Sequence, residues 1–122
     1  MDLYRPTSVT IHLDRLIENF KTLRAFNPGG GFLCPMIKAN AYGHGDVAVA
    51  KALSQVQCSH LGVSSVEEAV HLRENHVTEN ILVFGFNGLQ ACEAIVEHNR
   101  TPVVSDFNQL SDLGRILDKH LD

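Results

Sequence analysis

The chain has 122 residues, 44% of them apolar and 20% charged, a balance that supports one modest domain with its own core. Its formal net charge is −4 with scattered lysines and arginines, so it offers neither a basic stripe for a nucleic-acid backbone nor a polybasic anchor for an anionic membrane. No apolar run approaches bilayer length and no charged leader precedes one, which points to a cytoplasmic protein. Cys34, Cys58 and Cys92 are odd in number and form no Cys-x-x-Cys pair, so they read as reduced core thiols and not as disulfides or zinc ligands.

Taken in chain order, the hydrophobic spacing alternates between strand and helix. Ser8 to Leu13 reads as an opening strand, and Asp14 as the N-cap of a helix that places Leu16, Ile17, Phe20 and Leu23 on one face. Asn27-Pro-Gly-Gly-Gly31 breaks it. Phe32 to Ile37 is an apolar strand with Pro35 inside it, where a missing ladder N–H points to an edge or a bulge. A helix follows over about Asp46 to Gln55, and then a strand over His60 to Val63. Ser65-Val-Glu-Glu68 is a capping-box pattern that opens a helix to about Glu74. Ile81 to Phe84 is a strand, Leu89 to His98 a helix, Thr101 to Val104 a strand, and Ser105 caps a last helix. Four short apolar strands with a helix between each fit parallel βαβ crossovers. Such an α/β chain is either a small open sheet or the leading half of a (β/α)8 barrel, which needs about 250 residues.

The stretch Lys38-Ala-Asn-Ala-Tyr42-Gly-His-Gly45 stands where the apolar strand 32–37 gives way to a glycine-spaced turn and a helix. A lysine there sits in low dielectric, which favours the neutral, nucleophilic amine that Schiff-base chemistry needs. Gly43 and Gly45 let the backbone approach a ligand, the following helix offers N–H groups and a positive dipole end to an anion, and Tyr42 adds a hydroxyl. A carbonyl-trapping lysine beside phosphate-holding groups suits a phosphorylated aldehyde, pyridoxal 5'-phosphate. His44 lacks a second ligand at a workable spacing, the other histidines are dispersed, and no metal site is expected.

On the string Lys38 to Gly45, on Arg5-Pro-Thr7 with Ile11, Leu13, Leu16, Asn19 and Leu23, on Gly62-Val-Ser-Ser-Val-Glu-Glu-Ala69 with Leu72-Arg-Glu74, and on Ile81-Leu-Val-Phe-Gly85, the sequence resembles the alanine racemases. The resemblance covers essentially the whole chain. It implies a fold-type III pyridoxal-phosphate enzyme, of which residues 1–122 would be part of the N-terminal barrel domain: about four βα units, the leading half of a TIM-type barrel, preceded by an N-terminal strand and helix. The C-terminal β domain would be absent. Lys38 would hold the cofactor as a covalent aldimine and serve as one catalytic acid/base, Tyr42 would bind the phosphate, and Phe84 would pack near the ring, where the family often has leucine. The second base would be a tyrosine of the missing domain, supplied across a homodimer interface; Tyr4 and Tyr42 do not fit that role. The implied activity is interconversion of L- and D-alanine for peptidoglycan, with this segment inactive alone. Racemisation of serine or a broad range of amino acids, a non-catalytic cofactor-binding barrel, and a purely structural half barrel are the competing readings.

Overall fold

The computed structural model describes residues 4–121; residues 1–3 and 122 of the expected 1–122 domain lie outside the described residues. The first helix, α1 (Leu13–Ala25), buries Phe20 and half-buries Leu13, Leu16 and Ile17, the face expected from a spacing of three and four residues, while Leu23 stays exposed. Two expectations at its start fail. Residues 8–12 form no strand, because among the described residues no neighbouring strand takes up their backbone groups, and Val9 is 85% exposed. His12, without a side-chain hydrogen bond, is the N-cap, and Asp14 instead stands in the first turn, where its charge faces the positive helix end.

Pro35 explains why the expected strand 32–37 shrinks to one parallel bridge, Met36 to Gly62. Gly62 N–H donates to the Pro35 carbonyl at 2.9 Å and Ile37 N–H to the Gly62 carbonyl at 2.8 Å. The next ladder bond towards the N-terminus would run from the nitrogen of residue 35 to the His60 carbonyl, and proline has no hydrogen to give. The Cys58 thiol donates to that carbonyl instead, at 3.2 Å. A Cβ at position 62 would fall on the Met36 thioether and crowd the Cys34 thiol, so a larger residue there would have to displace the Met36 side chain.

After the short segment α2 (Lys38–Tyr42) and the helix α3 (Asp46–Ser54), the chain lays down β1 (His60–Val63), α4 (Val66–Glu74), β2 (Asn80–Val83), α5 (Gly88–Glu97), β3 (Thr101–Pro102) and α6 (Phe107–His120). The strands are parallel in the order β1-β2-β3, with Met36 bridging the free side of β1. Spatial order therefore follows chain order without the reversal of a doubly wound sheet, which is the arrangement of consecutive strands in a (β/α)8 barrel. Leu61, Val63, Ile81 and Val83 are fully buried and join Leu53, Leu72, Ile95 and Ile116 of the helices in one core. β3 ends at Pro102 and not Val104, although Val103 N–H still donates to the Val83 carbonyl at 2.9 Å. Because ladder groups alternate in direction, the missing N–H of Pro102 faces away from β2, on the open edge, where a proline costs no bond.

Each helix before a strand closes in the same way. Cys58 N–H reaches back to Leu53, Val77 to Leu72 and Arg100 to Ile95, at 3.1, 3.1 and 3.0 Å, while Gln57, His76 and Asn99 sit at positive φ between them. These are Schellman closures, made without the glycine usual at the left-handed position. Below them the Arg73 guanidinium donates to the carbonyls of Val77 (2.6 Å), Glu79 (2.8 Å), Asn99 (3.2 Å) and His98 (3.4 Å), tying the loops that lead into β2 and β3. Two helix starts, those of α4 and α6, are closed by capping boxes. Ser65 and Glu68 form the expected capping box on α4, whereas on α6 the N-cap is Asp106, not Ser105, because Asp106 takes the Gln109 N–H while Gln109 Oε1 takes the N–H groups of Asp106 and Ser105. The three cysteines are free, Cys58 and Cys92 buried and Cys34 half-buried, and burial pushes all three thiols up. No helix among the described residues is long and apolar enough to cross a membrane.

Candidate functional site

At the C-terminal end of the strands the chain does something that composition does not announce. Ala39, Asn40, Ala41 and Tyr42 have φ of 48°, 56°, 53° and 54°, so α2 is a turn of left-handed helix built from four consecutive non-glycine residues. Each such residue costs about 1–2 kcal/mol against the right-handed form, asparagine least. The expected glycine-spaced turn is present only afterwards, at Gly43 and Gly45, whose φ of 87° and 91° complete the reversal into α3.

The turn is held both from within and from outside. Ala41 N–H donates to the Ile37 carbonyl at 2.9 Å and Gly45 N–H to the Asn40 carbonyl at 2.9 Å, closing it internally, and the Ala41 side chain is buried. Asn40 Oδ1 accepts the Asp46 N–H at 3.0 Å, joining the turn to α3. From across the sheet the Glu68 carboxylate accepts the Ala39 N–H at 2.7 Å through Oε1, and the N–H groups of Ser64 and Ser65 at 2.8 and 3.2 Å through Oε2. Burial raises the Glu68 pKa, but the hydrogen bonds from Ala39, Ser64 and Ser65 outweigh it and leave the carboxyl below its ordinary value.

Lys38 opens this turn, half-buried, with its Nζ 5.8 Å from the centroid of the Tyr42 ring. The ion pairs among the described residues are Lys21–Glu18 and His71–Asp46, so no carboxylate there occupies the Lys38 amine. The Tyr42 ring is 60% exposed. Phe84, 46% exposed, follows β2, and its N–H donates to the Val63 carbonyl at 3.0 Å. With β1 between them, Phe84 and Lys38 stand two strands apart, roughly 10 Å at ordinary strand spacing, on the same end of the sheet. Gly85 permits this closeness of loops, since a Cβ there would lie 2.6 Å from the Ser64 carbonyl oxygen. His44 Nδ1–H donates to the Ala41 carbonyl at 3.1 Å, a supporting contact of the turn. An apolar groove of about 490 Å³ lies beside segment 33–37, lined by Leu16, Phe20, Leu33, Met36, Ile37 and Leu53; Tyr42 and His44 also line it, whereas Lys38 and Phe84 do not.

The helix end proposed from sequence as an anion holder is already filled. Asp46 N–H is taken by Asn40, and the buried Asp46 carboxylate accepts the Val47 N–H at 2.7 Å and lies 3.6 Å from His71 Nε2. A carboxylate at that position repels phosphate, so the N-terminus of α3 is not a phosphate cradle. The groups that do fit a phosphorylated aldehyde are the Lys38 amine, unpaired with a carboxylate among the described residues, and the exposed Tyr42 whose ring it faces. Glu68 was legible from sequence only as a helix cap; its bond to Ala39, 29 residues away, has no local signature.

Residues 11–122 match the family described as alanine racemase, N-terminal domain. The chain belongs to that family. An alanine racemase of Streptococcus pneumoniae is 37% identical over 119 residues, which is 98% of this chain and 31% of that protein; alanine racemase 2 of Caldanaerobacter subterraneus subsp. tengcongensis is 36% identical over 115 residues, 94% and 30%. Among solved structures, the alanine racemase of Clostridium difficile 630 superimposes with a TM-score of 0.88 at 30% identity over 99% of this chain and 32% of its own, and it has also been solved in complex with cycloserine. The chain thus spans about a third of the length of the curated relatives it matches, and its fold is the leading part of their barrel domain.

Proposed function

We propose that the protein carrying this chain racemises alanine, interconverting the L and D forms, with pyridoxal 5'-phosphate held covalently by Lys38. The observation that supports this most is the left-handed turn, a costly piece of backbone whose effect is to present Lys38 and Tyr42 together at the C-terminal end of a parallel sheet, where barrels of this kind carry their chemistry. When bound, pyridoxal phosphate supplies an electron sink that acidifies the α-hydrogen of an amino acid joined to it. Lys38 Nζ, free of a carboxylate among the described residues, takes or returns that proton on one face. The Tyr42 hydroxyl would donate to the phosphate, and the exposed ring of Phe84 would pack near the cofactor ring. Inversion needs a second base on the opposite face. Lys38 serves the first face and Tyr42 the phosphate, so a partner subunit of a homodimer would furnish it, and this segment alone would be inactive. A product pool of D-alanine fits supply of peptidoglycan in the cytoplasm.

The test is racemisation of alanine, with serine as a second substrate, by the complete product of the reading frame. Lys38→Ala is expected to lower kcat by about 10⁴-fold, the upper range for loss of a positioned acid/base group. A Lys38→Ala protein that racemises alanine at an undiminished rate removes the lysine from the mechanism, and preference for serine reassigns the substrate.

A further inference from the structure

The turn that presents Lys38 is expensive, and its bonds from Ala41 N–H to Ile37 and from Gly43 N–H to Ala39 have the i to i−4 spacing that a right-handed turn also makes. Something outside it must select the left-handed form. The Ala39 N–H, one residue beyond the lysine, is directed out of the turn to Glu68 Oε1 at 2.7 Å, the shortest of the three bonds to that carboxylate. The same carboxylate is anchored independently, because Glu68 stands at the third position of α4, its own N–H donates to Ser65 Oγ at 3.3 Å, and Oε2 holds the backbone after β1. Charge-assisted bonds of this kind are about twice as strong as neutral ones and fix direction.

We infer that Glu68 is a positioning residue for Lys38: through the Ala39 N–H it ties the left-handed turn to the start of α4 and so sets where the lysine amine stands above the sheet. This rests on the reading of Lys38 as the cofactor-bearing lysine. Glu68 itself touches neither cofactor nor substrate in this account. A glutamate acting only as a helix cap would need Ser64 and Ser65 alone. Oε1 is spent instead on a residue of another loop, 29 positions earlier.

The complete protein, as wild type, Glu68→Ala and Ser65→Ala, is to be followed by two readouts. The first, on cofactor-free protein, is amide hydrogen exchange in residues 39–45. The second is the concentration of pyridoxal phosphate needed to give a borohydride-fixed adduct on Lys38. Glu68→Ala is expected to speed exchange in the turn, and to raise the required concentration, by about tenfold to a hundredfold, the loss of one charge-assisted hydrogen bond. Ser65→Ala weakens the cap on α4 and should leave both unchanged. Glu68→Gln keeps the side-chain length with one acceptor oxygen, cannot satisfy both Ala39 and Ser64, and should show both effects in smaller size if the alanine variant does not fold. Unchanged adduct formation in folded Glu68→Ala or Glu68→Gln overturns the inference, as does an equal effect of Ser65→Ala. If wild type forms no adduct while exchange still quickens in the variant, the cofactor reading fails and the tie between Glu68 and the turn stands.

Discussion

The two ends of the sheet are sealed by opposite charges. At the N-terminal end one guanidinium, Arg73, gathers four carbonyls of the loops entering β2 and β3; at the C-terminal end one carboxylate, Glu68, gathers three N–H groups of the loops leaving the strands. Both ends also use left-handed residues that are not glycine, but differently. Gln57, His76 and Asn99 occur singly, one to a helix end, and each is a Schellman closure repeated from unit to unit. Ala39 to Tyr42 are consecutive, and among the described residues no other run of this kind occurs. Repetition marks the N-terminal end as a device of the fold, and singularity marks the C-terminal end as a device of the site. Strain concentrated where chemistry is expected, while the opposite end is conventional, is the division of labour that (β/α)8 proteins show between their two faces.

The largest effect that could break this contrast concerns the N-terminal end. Arg73→Met keeps the aliphatic stem and strands four carbonyls, so it should destabilise the protein by about 3 kcal/mol, read as a lowered denaturant midpoint, with the Lys38 adduct still forming in the folded fraction. A Met variant as stable as wild type would deny that end its structural role. Next comes the acid limb at the C-terminal end. The folded pKa of Glu68 lies below its ordinary value, so its contribution to stability is complete above the unfolded carboxylate pKa and disappears as pH falls through the folded one. The stability gap between wild type and Glu68→Gln should therefore be constant near neutrality and close in acid; a gap that widens in acid has the wrong sign. Smallest is a glycine at one of the single left-handed positions. His76 is exposed with φ of 65°, and His76→Gly should change stability by no more than about 1 kcal/mol, in the stabilising direction, without altering adduct formation. Ala39→Gly should likewise leave stability within about 1 kcal/mol, yet loosen the turn and weaken the adduct.

Much of this architecture was legible in the residues. The alternation of short apolar strands with helices of period 3.6 gave the α/β order, and Ser65-Val-Glu-Glu68 gave its cap, because both signals are local and repeat. Lys38, Tyr42 and Phe84 do lie on one end of the sheet. The left-handed turn was not legible, since Ala-Asn-Ala-Tyr carries no glycine and the turn is selected by Glu68 from a distant loop. For the same reason the filled end of α3 has no local signature: that Asn40 and Asp46 take its N–H groups depends on the turn's hand. Pro35 is legible as a mark of an edge or a bulge, but its reach, stopping the ladder at a single bridge, follows only from the register against Gly62.

The central claim is that Lys38 is the cofactor-bearing lysine. The direct measurement is to incubate the complete protein with pyridoxal phosphate, reduce with borohydride, and map the modified peptide. One stoichiometric adduct is expected, on Lys38. Modification instead at Lys21, Lys51 or Lys119, or no adduct at all, would contradict it.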